Sequence, residues 1–114
     1  MQKIIEGTPA TLITASGKIC LNEDKVSNDS ILVCHHTDYD SYEAIMKCKG
    51  ILTQVGGTLS HASIVARELK KACLIDCKGL DIYLNSREII CNGMKIKEGT
   101  MITIDGATGS VYLK

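Results

Sequence analysis

The chain has 114 residues, of which 13 are basic and 13 acidic, so its formal net charge is zero. This balance excludes the strong basic field with which proteins recruit nucleic acid or an anionic membrane surface. No apolar run approaches the roughly 20 residues that span a bilayer, and the N-terminus lacks the apolar stretch of a signal peptide. We therefore expect a single domain, residues 1–114, with neither nucleic acid nor a membrane as a partner.

The apolar residues set the kind of core that the chain can build. They make up 45% of the sequence but include neither Trp nor Phe, so the core must rest on aliphatic side chains, Met and Cys. The six cysteines form no CxxC pair and fall mostly within apolar runs, which favours reduced core thiols in a cytoplasmic protein over a disulfide set. They are Cys20, Cys34, Cys48, Cys73, Cys77 and Cys91.

The first third of the chain predicts short strands joined by a polar loop. Strand-forming residues occupy 2–6, 10–15 and 18–21, and the polar stretch 22–30 is typical of a loop. The compact apolar run at 31–34 predicts a buried strand.

A short helix and another strand are predicted next. Asp38 or Ser41 would cap the helix, and Gly50 would end it by taking a positive φ. The apolar run at 51–55 predicts the strand that follows, and the glycine pair Gly56-Gly57 comes directly after it.

The second half predicts one well-marked helix and several more strands. Ala62, Val65, Ala66 and Leu69 repeat at the spacing of one helical face. Short strands are predicted at 73–76, 88–91 and 94–96, followed by a hairpin of 101–104 and 110–113 with glycines at both ends of its turn. The whole pattern predicts a β-rich α/β domain.

His61 stands just behind the glycine pair, where the marked helix is expected to begin. The first N–H groups of a helix have no intrahelical partner and carry partial positive charge, so this position attracts anions and disfavours an imidazolium. Gly56 and Gly57 leave the backbone open to a phosphate, and Ser60 is a good N-cap. On spacing alone, both a phosphoryl-carrying histidine and a plain surface or capping histidine fit this position.

Two other kinds of site fit the sequence less well. A serine hydrolase would use Ser60 beside His61, but the G-x-S-x-G elbow is absent and adjacent helical residues do not face each other. A metal site would use the run at 34–36, Cys-His-His, but the absence of a second spaced cluster favours a strand end with solvated histidines. We therefore expect no metal centre.

The segment at 56–69, GGTLSHASIVAREL, resembles the phosphohistidine motif of the PEP-utilising enzyme mobile domain family. Weaker similarities extend over nearly the whole chain. They are the glycine-containing entry at 7–10 and 15–19, the strand and loop at 31–38, and the closing hairpin at 103–111.

The resemblance implies a swivelling β/β/α phosphohistidine domain of the α/β class, β-rich, with one marked helix after the Gly-Gly turn. By the same resemblance, His61 is the residue that carries the phosphoryl group. The residues implied to bind that group are Gly56, Gly57, Thr58, Ser60 and Arg67, the last only if the fold brings it near.

The resemblance also implies how the chain would work with other domains. It would bind no cofactor itself, while ATP and Mg²⁺ are expected on an ATP-grasp-like nucleotide-binding domain and PEP or pyruvate on a barrel domain. The chain has no P-loop and is too short for a barrel of about 250 residues. We therefore expect a phosphotransferase component that relays a phosphoryl group, and not a complete enzyme.

Three positions depart from the family pattern. Leu59 stands where many members carry a threonine that is regulated by phosphorylation, so that regulation is not expected. Lys-Lys-Ala at 70–72 replaces the usual stop, so we expect the helix to run past Leu69, and Tyr39 replaces a common proline. These departures motivate an alternative, a non-catalytic interaction or regulatory module that retains the fold.

Overall fold

The structure, a computed structural model, describes residues 1–113. Its strands are β1 (Gln2–Glu6), β2 (Thr8–Pro9), β3 (Ala15–Cys20), β4 (Ser30–Cys34), β5 (Gly50–Thr53), β6 (Ala72–Ile75), β7 (Leu80–Tyr83), β8 (Glu88–Cys91), β9 (Met94–Lys97), β10 (Met101–Asp105) and β11 (Ser110–Leu113). The α-helices are α1 (Tyr42–Lys47) and α2 (His61–Leu69), and short 3-10 turns cover Glu23–Lys25 and Tyr39–Ser41.

Two sheets make up the β structure of the described residues. The main sheet has the strand order β1-β11-β10-β3-β4-β5-β6-β2, in which β3 to β6 run parallel and the flanking pairs are antiparallel. Strands β7, β8 and β9 form a separate antiparallel sheet. The predicted closing hairpin is confirmed as β10 and β11.

Side chains of the parallel strands divide between two apolar layers, because successive residues of a strand point to opposite faces of its sheet. In β4, Ile31 and Val33 pack in the cluster that includes the small sheet, while Leu32 packs in the cluster that includes both helices. In β6, Leu74 and Cys73 divide in the same way. The small sheet, main sheet and helix pair therefore stack as β/β/α layers, which confirms the expected fold class.

The carboxyl ends of β4, β5 and β6 meet at one edge of the main sheet, and helix α2 begins at this edge. The N–H groups of Gln54 and Val55 donate to the carbonyls of Cys34 and His35, each at 3.1 Å. These bonds hold the loop after β5 against the loop after β4. The two loops are therefore bonded to each other beside the start of α2.

The predicted role of Gly50 is wrong. Helix α1 ends at Lys47, and Gly50 opens β5 without taking a positive φ. A Cβ on Gly50 would lie 3.0 Å from Ile104 Cδ1 and 3.1 Å from the Ala72 carbonyl oxygen. The glycine is needed for close packing across the sheet and not for ending a helix.

The expectation that α2 runs past Leu69 is also wrong. Lys70 takes a left-handed conformation with φ of 56°, and its N–H reaches the carbonyls of Ala66 and Arg67. This is the cap geometry that glycine supplies more often. A lysine therefore ends the helix without the usual helix-stopping residues.

The strand predictions fail in three places. Strand β2 (Thr8–Pro9) was not predicted. Residues 10–14 lie outside the strands because they cross toward the end of α2, where the Thr11 hydroxyl donates to the Lys71 carbonyl at 2.7 Å. Strand β7 was not predicted, since Leu80 is the only one of its residues that is buried. Within residues 1–113, neither α-helix has the length and apolar character needed to cross a membrane.

The six cysteines are free thiols, five of them buried and Cys34 partly buried. Desolvation by burial raises the pKa of Cys34, Cys73 and Cys77 to about 12 and that of Cys91 to about 11. The thiolate is the reactive form of cysteine, so these protonated thiols are unreactive near neutral pH. Their role in the fold is to fill the core.

We expect these thiols to resist iodoacetamide at about pH 8 in the folded protein and to react quickly in urea, as counted by intact mass. The folded protein holds thiol protons that the unfolded chain releases above about pH 9. The contribution of these thiols to stability is therefore fully present below about pH 9. The free energy of unfolding then falls as pH rises from about 9 to 12. Rapid alkylation of Cys73 in the folded state would contradict this assignment.

Candidate functional site

His61 is the first residue of α2, and Ser60 is the predicted N-cap of that helix. Ser60 has extended backbone angles, and its Oγ accepts from the Ser63 N–H at 3.4 Å. The loop between β5 and the helix holds the glycine pair. The sequence prediction of a histidine at a helix N-terminus behind Gly56 and Gly57 is confirmed.

The His61 ring is held on one side by Thr37. A hydrogen bond of 2.9 Å joins His61 Nδ1 to Thr37 Oγ1. Thr37 is buried, with 7% of its surface exposed, and it follows the end of β4. The next residue, Asp38, caps the 3-10 turn through its carboxylate and through its N–H, which donates to Ser41 Oγ at 3.1 Å. The hydrogen bonds of Asp38 therefore hold the segment that carries Thr37 in place.

The other side of the ring faces open space. Among residues 1–113, nothing forms a hydrogen bond with His61 Nε2, and the side chain is half-buried. His61 lines a cavity of about 460 Å³ together with Tyr39, Tyr42 and Val65. The ring is thus fixed at Nδ1 and accessible at Nε2.

The glycine loop offers unpaired backbone donors beside this ring. Within the described residues, the N–H groups of Gly56, Gly57, Thr58 and Leu59 donate to no protein acceptor. Gly56 has a φ of 132°, which side-chain-bearing residues rarely adopt, whereas a Cβ on Gly57 would meet nothing within 4 Å. Unpaired N–H groups at a helix N-terminus form a ready site for an anion.

Two further predicted phosphate ligands have different surroundings. The Nε of Arg67 donates to the Ala10 carbonyl at 3.2 Å, and Arg67 lies six residues along α2 from His61, about 9 Å of helical rise. The structure therefore does not bring Arg67 to the histidine. Thr58 is exposed within the glycine loop. Phosphate binding by either residue stays a prediction.

The two other histidines lie on the same edge of the main sheet. His35 Nδ1 bonds to Gln54 Oε1 at 3.0 Å, and His36 Nδ1 lies 3.3 Å from the Thr37 carbonyl oxygen. Both side chains are exposed. In the part of the chain that the structure describes, no three His, Cys, Asp or Glu side chains are arranged to hold a metal ion.

Three residues that contact His61 or the glycine loop, Thr37, Thr53 and Ser63, were not predicted from the sequence as part of a site. Thr37 belongs to the stretch that resembles the family pattern, but it lies 24 residues from His61 and only the fold brings the two together. The hydroxyls of Thr53 and Ser63 donate to the Val55 and Gly57 carbonyls from inside the protein. Such contacts carry no periodic or spacing signal.

The fold and the site define a β/β/α domain that presents one histidine at the start of a helix. A family model described as "PEP-utilising enzyme, mobile domain" matches residues 26–109. This match covers more than half of the chain. The chain therefore belongs to the PEP-utilising enzyme mobile domain family.

Relatives at the sequence level are pyruvate, phosphate dikinases. The chain is 36% identical to the one from Rickettsia typhi and 29% identical to the one from Entamoeba histolytica, each over 96% of this chain. It spans only 13% of the length of either relative. The family resemblance found in the sequence is thereby confirmed.

Two solved structures share the fold. Enzyme I matches with a TM-score of 0.56 and 20% identity, over 82% of this chain and 34% of its own. Aconitase X from Thermococcus kodakaraensis matches with a TM-score of 0.62 and 11% identity, over 96% of this chain and 97% of its own. At these identities, the likeness concerns the fold alone.

The glycine pair gives a matched test of the loop. We expect Gly56→Ala to lower the free energy of unfolding by roughly 1–3 kcal/mol, because alanine would be strained at the φ of 132° and its Cβ would lie 3.2 Å from Ser60 Oγ. Gly57→Ala adds a Cβ in open space and should change stability little. Urea titration of both variants measures the difference, and equal losses would refute this distinction.

Proposed function

We propose that the chain is a phosphoryl-carrier domain that is transiently phosphorylated on Nε2 of His61. The observation that carries the proposal is the 2.9 Å hydrogen bond between His61 Nδ1 and Thr37 Oγ1. Membership of the PEP-utilising enzyme mobile domain family supports the same reading. The cytoplasm is the proposed location.

The hydrogen bond to Thr37 selects the nitrogen that reacts. A neutral imidazole has one protonated nitrogen and one with a free lone pair, and the partner of one nitrogen determines the state of the other. In the proposed ground state, Nδ1–H donates to Thr37 Oγ1. Nε2 then keeps its lone pair on the accessible side of the ring.

Transfer to His61 is a single exchange of bonds at phosphorus. Nε2 forms the new N–P bond while the bond from phosphorus to the donor oxygen breaks, and its electron pair leaves with that oxygen. The Nδ1 proton stays on the ring, where Thr37 continues to accept it. Attack by an acceptor oxygen on the same phosphorus reverses the exchange and returns neutral His61.

The glycine loop supplies the electrostatic part of this chemistry. The phosphoryl oxygens carry negative charge, and preorganised N–H donors stabilise such charge without having to reorient during the reaction. The unpaired N–H groups of Gly56, Gly57 and Thr58 lie in the segment directly before the N-cap, Ser60. We assign these residues to holding the phosphoryl group once it is on the histidine.

The donor and acceptor belong to other domains in this proposal. An ATP-grasp-like domain would hold ATP and Mg²⁺, and a barrel domain would hold PEP or pyruvate. Large apolar side chains stand exposed near His61, with 90% of Tyr39, 83% of Leu59 and 48% of Ile64 open to solvent. Exposed apolar groups of this kind suit a surface that a partner domain covers during transfer.

The test is transfer of label from PEP. The domain is incubated with radiolabelled PEP and the barrel domain of a pyruvate, phosphate dikinase relative. We expect one acid-labile, base-stable phosphoryl group that His61→Ala abolishes. His36→Ala, which alters a nearby exposed histidine, should retain the label because His36 is not held by a buried hydroxyl.

Two results would contradict the proposal. Label that persists in His61→Ala would place the phosphoryl group elsewhere. A wild-type domain that stays unlabelled, while a known carrier domain is labelled by the same mixture, would favour the non-catalytic module.

A further inference from the structure

Two fully buried hydroxyls lie beneath the glycine loop. Thr53 and Ser63 each expose 0% of their surface. Thr53 Oγ1 donates to the Val55 carbonyl at 2.8 Å, and Ser63 Oγ donates to the Gly57 carbonyl at 2.7 Å. One hydroxyl comes from the end of β5 and the other from the first turn of α2. The loop is therefore hydrogen-bonded to the element before it and to the element after it.

These bonds determine which way the loop N–H groups point. A carbonyl oxygen can only accept, so each hydroxyl must donate its proton to the loop. In a planar trans peptide, the C=O and the N–H of the next residue point in opposite directions. Because the carbonyls of Val55 and Gly57 are drawn inward, the N–H groups of Gly56 and Thr58 point away from the interior.

We propose that Thr53 and Ser63 are positioning residues of the phosphoryl site, which hold the N–H groups of Gly56 and Thr58 toward the phosphoryl group. This inference rests on the proposed function of His61. Neither hydroxyl touches the phosphoryl group in this arrangement. Each acts through the peptide whose carbonyl it holds.

The position of protons adds Ser60 to the same network. Ser63 has one hydroxyl proton, and the Gly57 carbonyl takes it. In the 3.0 Å contact between Ser60 Oγ and Ser63 Oγ, Ser60 must therefore be the donor. The hydroxyl of Ser60 is directed to the interior in the unphosphorylated domain, which leaves anion binding to the backbone.

The two hydroxyls are not equally important. The Gly57 carbonyl also accepts from the Ser60 N–H at 3.0 Å, so it keeps one partner when Ser63 is replaced. The hydroxyl of Thr53 is the only donor to the Val55 carbonyl among residues 1–113. Loss of the Thr53 hydroxyl should therefore disturb the loop more than loss of the Ser63 hydroxyl.

The experiment titrates inorganic phosphate into the isotope-labelled domain and follows the amide signals of Gly56 and Thr58 by NMR. We expect Thr53→Val to weaken phosphate binding about tenfold and Ser63→Ala about threefold, as expected for a misaligned hydrogen-bond donor. Thr53→Ser keeps the hydroxyl and should bind nearly as the wild type does. The lifetime of phosphorylated His61 should shorten in the same order.

Thr103→Val is the matched control. Thr103 is a buried residue of β10, and its hydroxyl bonds to Ser16 Oγ at 2.7 Å, within the sheet and outside the glycine loop. This substitution also removes a buried hydroxyl and lowers stability, but phosphate binding should be unchanged. Urea titration of every variant shows how much stability each has lost.

Three outcomes would overturn the inference. The first is unchanged phosphate binding in both Thr53→Val and Ser63→Ala, and the second is a weakening of phosphate binding in Thr103→Val as large as that in Thr53→Val. The third is that the Gly56 and Thr58 amide signals of the wild-type domain do not respond to phosphate. Labelling by PEP tests the proposed function, independently of phosphate binding. An unlabelled His61 in a domain that shows the expected phosphate pattern would contradict the carrier role and leave the positioning of the loop standing.

Discussion

The hydrogen bond between Thr37 and His61 is the interaction on which the site depends. It joins the segment after β4 to the first residue of α2 at 2.9 Å, and it fixes one ring nitrogen while the other stays accessible. A histidine at a helix N-terminus would otherwise be free to rotate between several partners. In the proposed function, the buried threonine gives this anion-attracting position one defined nucleophilic atom, Nε2 of His61.

The layered fold explains why these two residues meet. Parallel strands deliver their carboxyl ends to one edge of a sheet, so the loops after β4 and β5 become neighbours although they are distant in sequence. The small sheet and the helix pair bury the two faces of the main sheet and hold those ends in place. The two loops can then supply Thr37 and the glycine pair to one site.

Much of this arrangement could be predicted from local patterns. The apolar stripe of α2, the glycine pair and the hairpin turn are local signals, and the motif around His61 indicated the family. The failures have physical causes that no local pattern contains. Gly50 serves packing against Ile104 across the sheet, Lys70 supplies a left-handed cap, and Thr37 meets its partner only after folding. Side-chain contacts between distant loops therefore had to come from the structure.

The tautomer of His61 tests the role of the Thr37 hydrogen bond, and it can be read from long-range nitrogen–proton NMR correlations of the neutral ring and of its phosphorylated form. We expect a proton on Nδ1, bound to Thr37, in both states, with phosphorus attached to Nε2 in the phosphorylated form. Replacement of Thr37 by Val should release this preference. A neutral ring protonated on Nε2, or phosphorus on Nδ1, would refute the assignment of Nε2 as the reacting nitrogen.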